Sequence, residues 1–190
     1  PRFQQLTDEQ KAIVNRVFDE FFDEESKHKV AWYFGRMLSQ QPGKTPLSTE
    51  RMLKMLVITS ARGGSGKSTL FKGLTTALLG DAYCDVKPSF DTVFSINNRF
   101  GLSQLIPVRC ILYNEAEWND GSVPTHDFTG LRLSEIKSVL TDGKLSREQK
   151  YQQQTSSAVF SAQIVLTNHA PEITGDDESS ALNRRILAAI

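Results

Sequence analysis

Residues 61–69 read Ala61-Arg62-Gly63-Gly64-Ser65-Gly66-Lys67-Ser68-Thr69, and these types at this spacing suit the binding of a polyphosphate. Glycines let consecutive backbone N–H groups turn inward onto a β-phosphate, and a helix beginning directly after them adds its positive end. Lys67 is spaced to reach the β- and γ-phosphates, and the Ser68 hydroxyl to ligate Mg²⁺. The expected ligands are therefore ATP and Mg²⁺, held by Gly63, Gly64, Ser65, Gly66, Lys67, Ser68 and Thr69. The common pattern has glycine at its first position, where this chain has Ala61. Alanine is strained wherever the backbone must be left-handed, so the entry to the loop is expected to have a different shape.

Phosphoryl transfer also needs a carboxylate to orient or deprotonate the attacking water. The apolar run Val108 to Tyr113 ends in Asn114-Glu115-Ala116-Glu117, roughly forty to fifty residues beyond the loop. Glu115 lies nearer the end of the run and is the first candidate, both as catalytic carboxylate and, with Ser68, as metal ligand. Glu117 is the second. Many such enzymes carry an aspartate before the glutamate to support the metal; Asn114 is neutral, so metal binding is expected to rest more on Ser68. A further apolar run, Val159 to Leu166, ends in Thr167-Asn168. From there Asn168 is placed to hydrogen-bond the γ-phosphate or the lytic water and so sense hydrolysis. Asn183-Arg184-Arg185-Ile186-Leu187 sets two arginines before an apolar run. An arginine stays protonated and forks across two phosphate oxygens, which suits it to stabilise a neighbouring subunit's transition state. Arg185 is preferred for that role because Ile186 follows it directly, with Arg184 the runner-up.

The elements that must position these residues are legible in outline. Met55 to Ile58 reads as a buried strand before the loop, and Leu70, Leu74 and Leu78 as one face of the helix after it. Leu79-Gly80-Asp81-Ala82-Tyr83 reads as a helix stop, and Phe90 to Leu105 as strand, turn and short helix. Near the start, Thr7 with Gln10 forms a capping box ahead of Ile13, Val14, Val17, Phe18, Phe21 and Phe22 on one helical face. A second helical pattern runs through Val30, Trp32, Tyr33, Met37 and Leu38, until Pro42-Gly43-Lys44-Thr45-Pro46 breaks the chain. The expectation is an α/β fold: a P-loop nucleotide-binding core with a mainly parallel sheet over 48–190, preceded by a small N-terminal helical bundle over 1–47.

Composition fits an enzyme core. With 190 residues, 39% of them hydrophobic, the chain can bury one substantial core. Lys and Arg total 22 and Asp and Glu 22, so a polyanion must be met by a local patch rather than by a global field. Cys84 and Cys110 form no C-x-x-C pair and His28, His126 and His169 are scattered, which argues against a disulfide scaffold or structural zinc. No run approaches the about 18 apolar residues of a membrane span, and a cytoplasmic location, in a host if the source is viral or phage, is expected. The ends, Pro1 and Ile190, suggest an excised fragment. One local patch stands out. Over 137–150, Lys137, Lys144, Arg147 and Lys150 oppose Asp142 and Glu148; Lys144, Arg147 and Lys150, three apart, suggest one side of a hairpin or short helix, with Tyr151 able to stack on a base.

Together these segments resemble the superfamily III helicases of viruses, phages and plasmids, most of all the helicase domains of poxvirus-type and satellite-phage-type primase-helicases. The resemblance runs from near Trp32 to the last residue. Ala61–Thr69 matches the family's Walker A, Ile111–Glu117 its Walker B, 140–151 its B′ segment with a basic DNA-contacting hairpin, and Ile164–Pro171 its motif C, with Arg184-Arg185 following in the family's order. It implies an AAA-like core, ring hexamers, ATP-driven movement on single-stranded DNA, DNA contacts by Lys144, Arg147 and Lys150, and association with a primase domain or other replication proteins. Ala61 and Asn114 depart from the family pattern. Two other classes share the cradle: a packaging or remodelling ATPase indifferent to DNA, and a nucleotide-binding module with little hydrolysis.

Overall fold

The computed structural model describes residues 7–39, 55–60, 64–88, 91–95, 97–98, 100–105, 108–114, 133–141, 144–147, 155–158, 161–168 and 186–189. Its centre is a five-stranded sheet of β1 (Met55–Thr59), β2 (Cys84–Lys87), β3 (Cys110–Tyr113), β6 (Ala162–Thr167) and β7 (Ile186–Ala189) in the order β2-β3-β6-β1-β7. Every pairing in it is parallel. A parallel sheet must bury both faces, and the side chains divide by the strand period of two. Met55, Val57, Ile111, Tyr113 and Val165 enter one apolar cluster, Leu56, Ile58, Cys110, Leu112, Ile164 and Leu166 the other. This is why β1, β3 and β6 read as unbroken apolar runs.

The first face is covered by α4 (Asp91–Phe94), a 3₁₀ turn at Gly101–Leu105 and α5 (Leu133–Thr141), through Val93, Phe94, Leu102, Leu105, Ile136, Val139 and Leu140. The second is covered by α1 (Asp8–Phe21), α2 (Glu24–Ser39) and α3 (Lys67–Leu79). Inward from them are Val30, Tyr33, Phe34, Met37 and Phe71, joined by Phe22 just after α1. Full burial of each such side chain stabilises the fold by about 1.5–3 kcal/mol. The Thr7–Gln10 capping box closes reciprocally at the start of α1, and α3 stops at Gly80 with φ 82°, both as the residues predict. Tyr33 Oη donates to the Gln163 carbonyl at 2.7 Å and Tyr113 Oη to Gln163 Oε1 at 2.6 Å, so the polar residue in the middle of β6 is satisfied from both faces of the sheet.

One expectation changes. The strand expected within Phe90 to Leu105 is absent from the described residues there, which form α4 and the 3₁₀ turn; the strand is β2, earlier in the chain. β2 is an edge strand with Val86 exposed, and four residues that include Asp85 and Lys87 carry no apolar run to betray it. The basic segment holds a strand pair, β4 (Lys144–Arg147) antiparallel to β5 (Thr155–Ala158), with Lys144 opposite Ala158 and Arg147 opposite Thr155. Of the hairpin and the short helix expected for this segment, the described residues form the antiparallel strand pair. No described helix is long and apolar enough to cross a membrane.

Candidate functional site

In an open parallel sheet a ligand crevice forms beyond the carboxyl ends of the strands, where neighbouring connections diverge. Here β1 sits between β6 and β7, and Thr59 and Thr167 end β1 and β6 in register. The Ser60 N–H donates to the Thr167 carbonyl at 3.3 Å, extending the pairing by one residue before the glycine loop departs. Asn114 leaves β3 at the same edge, its N–H donating to the Lys87 carbonyl of β2 at 2.8 Å. Three strand ends therefore deliver a loop, Asn114 and Asn168 to one place.

The loop needs left-handed backbone twice: Gly64 has φ 73° and Gly66 has φ 83°, a region that favours glycine. Gly66 caps α3 without any side-chain hydrogen bond, and the first helical bond runs from Leu70 N to Gly66 O at 2.9 Å. The N–H groups that begin α3 thus lack intrahelical acceptors and carry the helix's partial positive charge. They face a cleft of about 240 Å³ lined by Gly64, Ser65, Gly66, Lys67, Ser68, Thr69, Leu166, Thr167 and Asn168.

Lys67 Nζ bridges the cleft, donating to Asn168 Oδ1 and to Ser65 Oγ, each at 3.1 Å. Partial burial lowers the Lys67 pKa from its ordinary value, so the ammonium is less well solvated than on an open surface and would gain from an anionic partner. Ser68 Oγ donates to Asn114 Oδ1. The same two oxygens are hard neutral donors of the kind Mg²⁺ accepts alongside phosphate oxygens and water, and the exposed helix start with its two left-handed glycines fits a phosphate chain. Among the described residues no group of three or more His, Cys, Asp or Glu is placed to hold a metal by itself.

Lys67, Ser68 and Asn168 are brought together, with Gly64, Ser65, Gly66 and Thr69 around them. Gly63, Glu115, Arg184, Arg185 and Lys150 lie outside the described residues, as do Ala61, Glu117 and Tyr151. Lys144 and Arg147 are in β4, in a sheet separate from the one that carries the cleft. Asn114 was marked in the sequence as a neutral substitute for a metal-supporting acid; its bond to Ser68, 46 residues away, gives it a definite place in the site.

The fold has solved counterparts. The apo structure of the NrS-1 C-terminal region matches with a TM-score of 0.59 at 17% identity, over 94% of this chain and 38% of that one. Its A form gives 0.60 at 16% identity, over 94% and 37%. A JCV helicase structure with a bound thiazolopyridine acetamide gives 0.45 at 14% identity, over 93% and 55%. This chain thus spans less than two-fifths of the length of the NrS-1 structures, and with those, at 17% and 16% identity, what it shares is the fold. Among curated proteins none matches. Residues 58–185, from within β1 to the residue before β7, match the model of a protein family described as "Family of unknown function (DUF5906)", and with well over half its length covered the chain belongs to that family.

Proposed function

We propose that this chain is the ATP-hydrolysing motor core of a superfamily III-type helicase, moving on single-stranded DNA in the replication of a viral, phage or plasmid genome. The observation that carries the reading is the convergence of Lys67 on Asn168 at 3.1 Å across a cleft floored by the start of α3. A lysine held by a strand-end amide between two left-handed glycines and an uncapped helix start has little purpose in packing and fits a triphosphate. The parallel sheet, with the loop strand beside the Asn168 strand and the Asn114 strand next in order, supports an AAA-like P-loop core, with 1–47 as a helical appendage to 48–190 and Ala61–Thr69 as its Walker A.

In this reading the backbone of Gly63 to Gly66 and the N–H groups of α3 bind the β-phosphate, and Lys67 exchanges its bonds to Ser65 and Asn168 for β- and γ-phosphate oxygens. Asn168, released from Lys67, turns its amide to the γ-phosphate. Ser68 and Asn114, with Glu115, would hold Mg²⁺, which when bound neutralises phosphate charge. Glu115 follows Asn114 directly and takes the proton of the attacking water. Arg185, or Arg184 in its stead, reaches the site of the next subunit in a ring, a hexamer by the family resemblance. Lys144, Arg147 and Lys150, from and beside the β4–β5 pair, contact DNA phosphates, a few per subunit and many around a ring. A primase domain or other replication proteins are the expected associates.

One observation favours a second reading. Ser68 is bonded to a neutral amide where a metal-supporting carboxylate is usual, which suits a nucleotide-binding module with little hydrolysis. ATP turnover by the wild-type chain with and without single-stranded DNA, with Lys67→Ala as the blank, separates the possibilities. Stimulation by DNA supports the helicase. Turnover indifferent to DNA points to a packaging or remodelling ATPase, and binding without turnover to the module.

A further inference from the structure

The phosphate loop has an aromatic neighbour that its motif does not require. A β-carbon built on Gly66 would lie 3.1 Å from Cζ and 3.4 Å from Cε1 of Phe21. The ring at the end of α1 thus closes over the left-handed corner from which α3 begins. Elsewhere α1 is held loosely: none of its residues is fully buried, and Ile13 and Val14 are exposed. Phe21 is half-buried, but it is tied to the core. Its centroid is 6.2 Å from that of Phe22, the Phe22 ring meets Phe71 of α3 edge-on at 6.0 Å, and Phe71 stacks on Phe34 of α2 at 6.1 Å.

Two glycines with positive φ within three residues give a loop many accessible shapes when empty, and a ligand must offset the entropy of selecting one. A rigid ring against the corner removes alternatives before the ligand arrives. We infer that Phe21 is a positioning residue for the phosphate loop: its ring holds Gly66 in the left-handed conformation and so couples the end of α1 to phosphate binding. The coupling to phosphate rests on the nucleotide reading of the cleft; the bracing of the loop does not. Phe18, which packs on Phe22 at 5.9 Å one turn earlier in α1, is the matched control for general loosening of the helix.

The test is the backbone amide order parameter by NMR at residues 64–68 in nucleotide-free protein, joined to equilibrium binding of ATP with Mg²⁺, for wild type, Phe21→Ala, Phe21→Tyr and Phe18→Ala. Phe21→Ala is expected to lower the order parameters of the loop amides and weaken ATP binding about five- to thirtyfold, the range set by leaving one residue's backbone free. Phe21→Tyr, which keeps the ring, restores both, and Phe18→Ala changes neither. Unchanged order parameters in Phe21→Ala, or an equal drop in Phe18→Ala, overturn the brace. Lower order parameters in Phe21→Ala together with no ATP binding by wild type uphold the brace and overturn the nucleotide reading instead.

Discussion

Replacing Gly66 by alanine puts the loop's geometry under direct load. At φ 83° any β-carbon costs about 1–2 kcal/mol in the left-handed region. The new methyl would also stand 3.1 Å from Phe21 Cζ, inside the about 3.5–4.0 Å at which carbon atoms rest. Gly64 separates the two costs, because it shares the positive φ, 73°, yet a β-carbon there meets nothing within 4 Å. With about 2–4 °C of melting temperature per kcal/mol for a chain of this size, Gly64→Ala should melt about 2–8 °C below wild type. Gly66→Ala should melt lower still, and the excess should shrink when Phe21→Ala is added, giving a favourable coupling in a double-mutant cycle. A loop that instead flips to relieve the strain keeps its melting temperature but loses the cradle. Thermal unfolding and ATP binding are therefore measured on the same samples. Gly66→Ala protein with both wild-type stability and wild-type affinity would show that neither the left-handed corner nor the Phe21 ring constrains the loop.

Glu115→Gln should bind ATP and fail to turn it over; unchanged turnover would transfer the role to Glu117. Doping an Arg185→Ala subunit into wild type should depress activity more than in proportion, whereas strictly proportional loss would argue against a shared site. Tyr113→Phe removes the donor to Gln163 Oε1 inside the sheet and should destabilise by about 1–3 kcal/mol in denaturant unfolding. Cys84 and Cys110 face each other across β2 and β3. A hydrogen bond from Cys110 lowers the Cys84 pKa to about 7, while that same bond and burial raise Cys110 well above the ordinary range. Alkylation of the folded protein should therefore fall on Cys84, with a rate rising as pH passes about 7 and its thiol ionises, and Cys110 should be labelled only after denaturation.

Much of the site was legible because its signals are local. The glycines, Lys67 and Ser68 are contiguous, and β1, β3 and β6 announce themselves as apolar runs because both of their faces are buried. β2 was illegible for the converse reason: as an edge strand it needs no run, and its alternation of Cys84 and Val86 with Asp85 and Lys87 looks like a polar turn. Contacts that close over long separations left no trace in the sequence. The Tyr33 bond to Gln163 spans 130 residues and the Lys67 bond to Asn168 spans 101. Asn168 was found only because a strand-end polar residue suits a γ-phosphate, and Phe21 looked like one more apolar residue of an amphipathic helix. Its position over Gly66 depends on how α1 docks against α3, which no spacing encodes.

The ends of β1, β3 and β6 should gather one triphosphate. A crystal structure of the chain with a non-hydrolysable ATP analogue and Mg²⁺ tests it most directly. The β-phosphate is expected within hydrogen-bonding distance of the amides of Gly64 to Lys67, with Lys67 Nζ moved from Asn168 onto phosphate oxygens and the Asn168 amide facing the γ-phosphate. A nucleotide seated elsewhere, or a cleft still closed by the Lys67–Asn168 bond at saturating analogue, would contradict it.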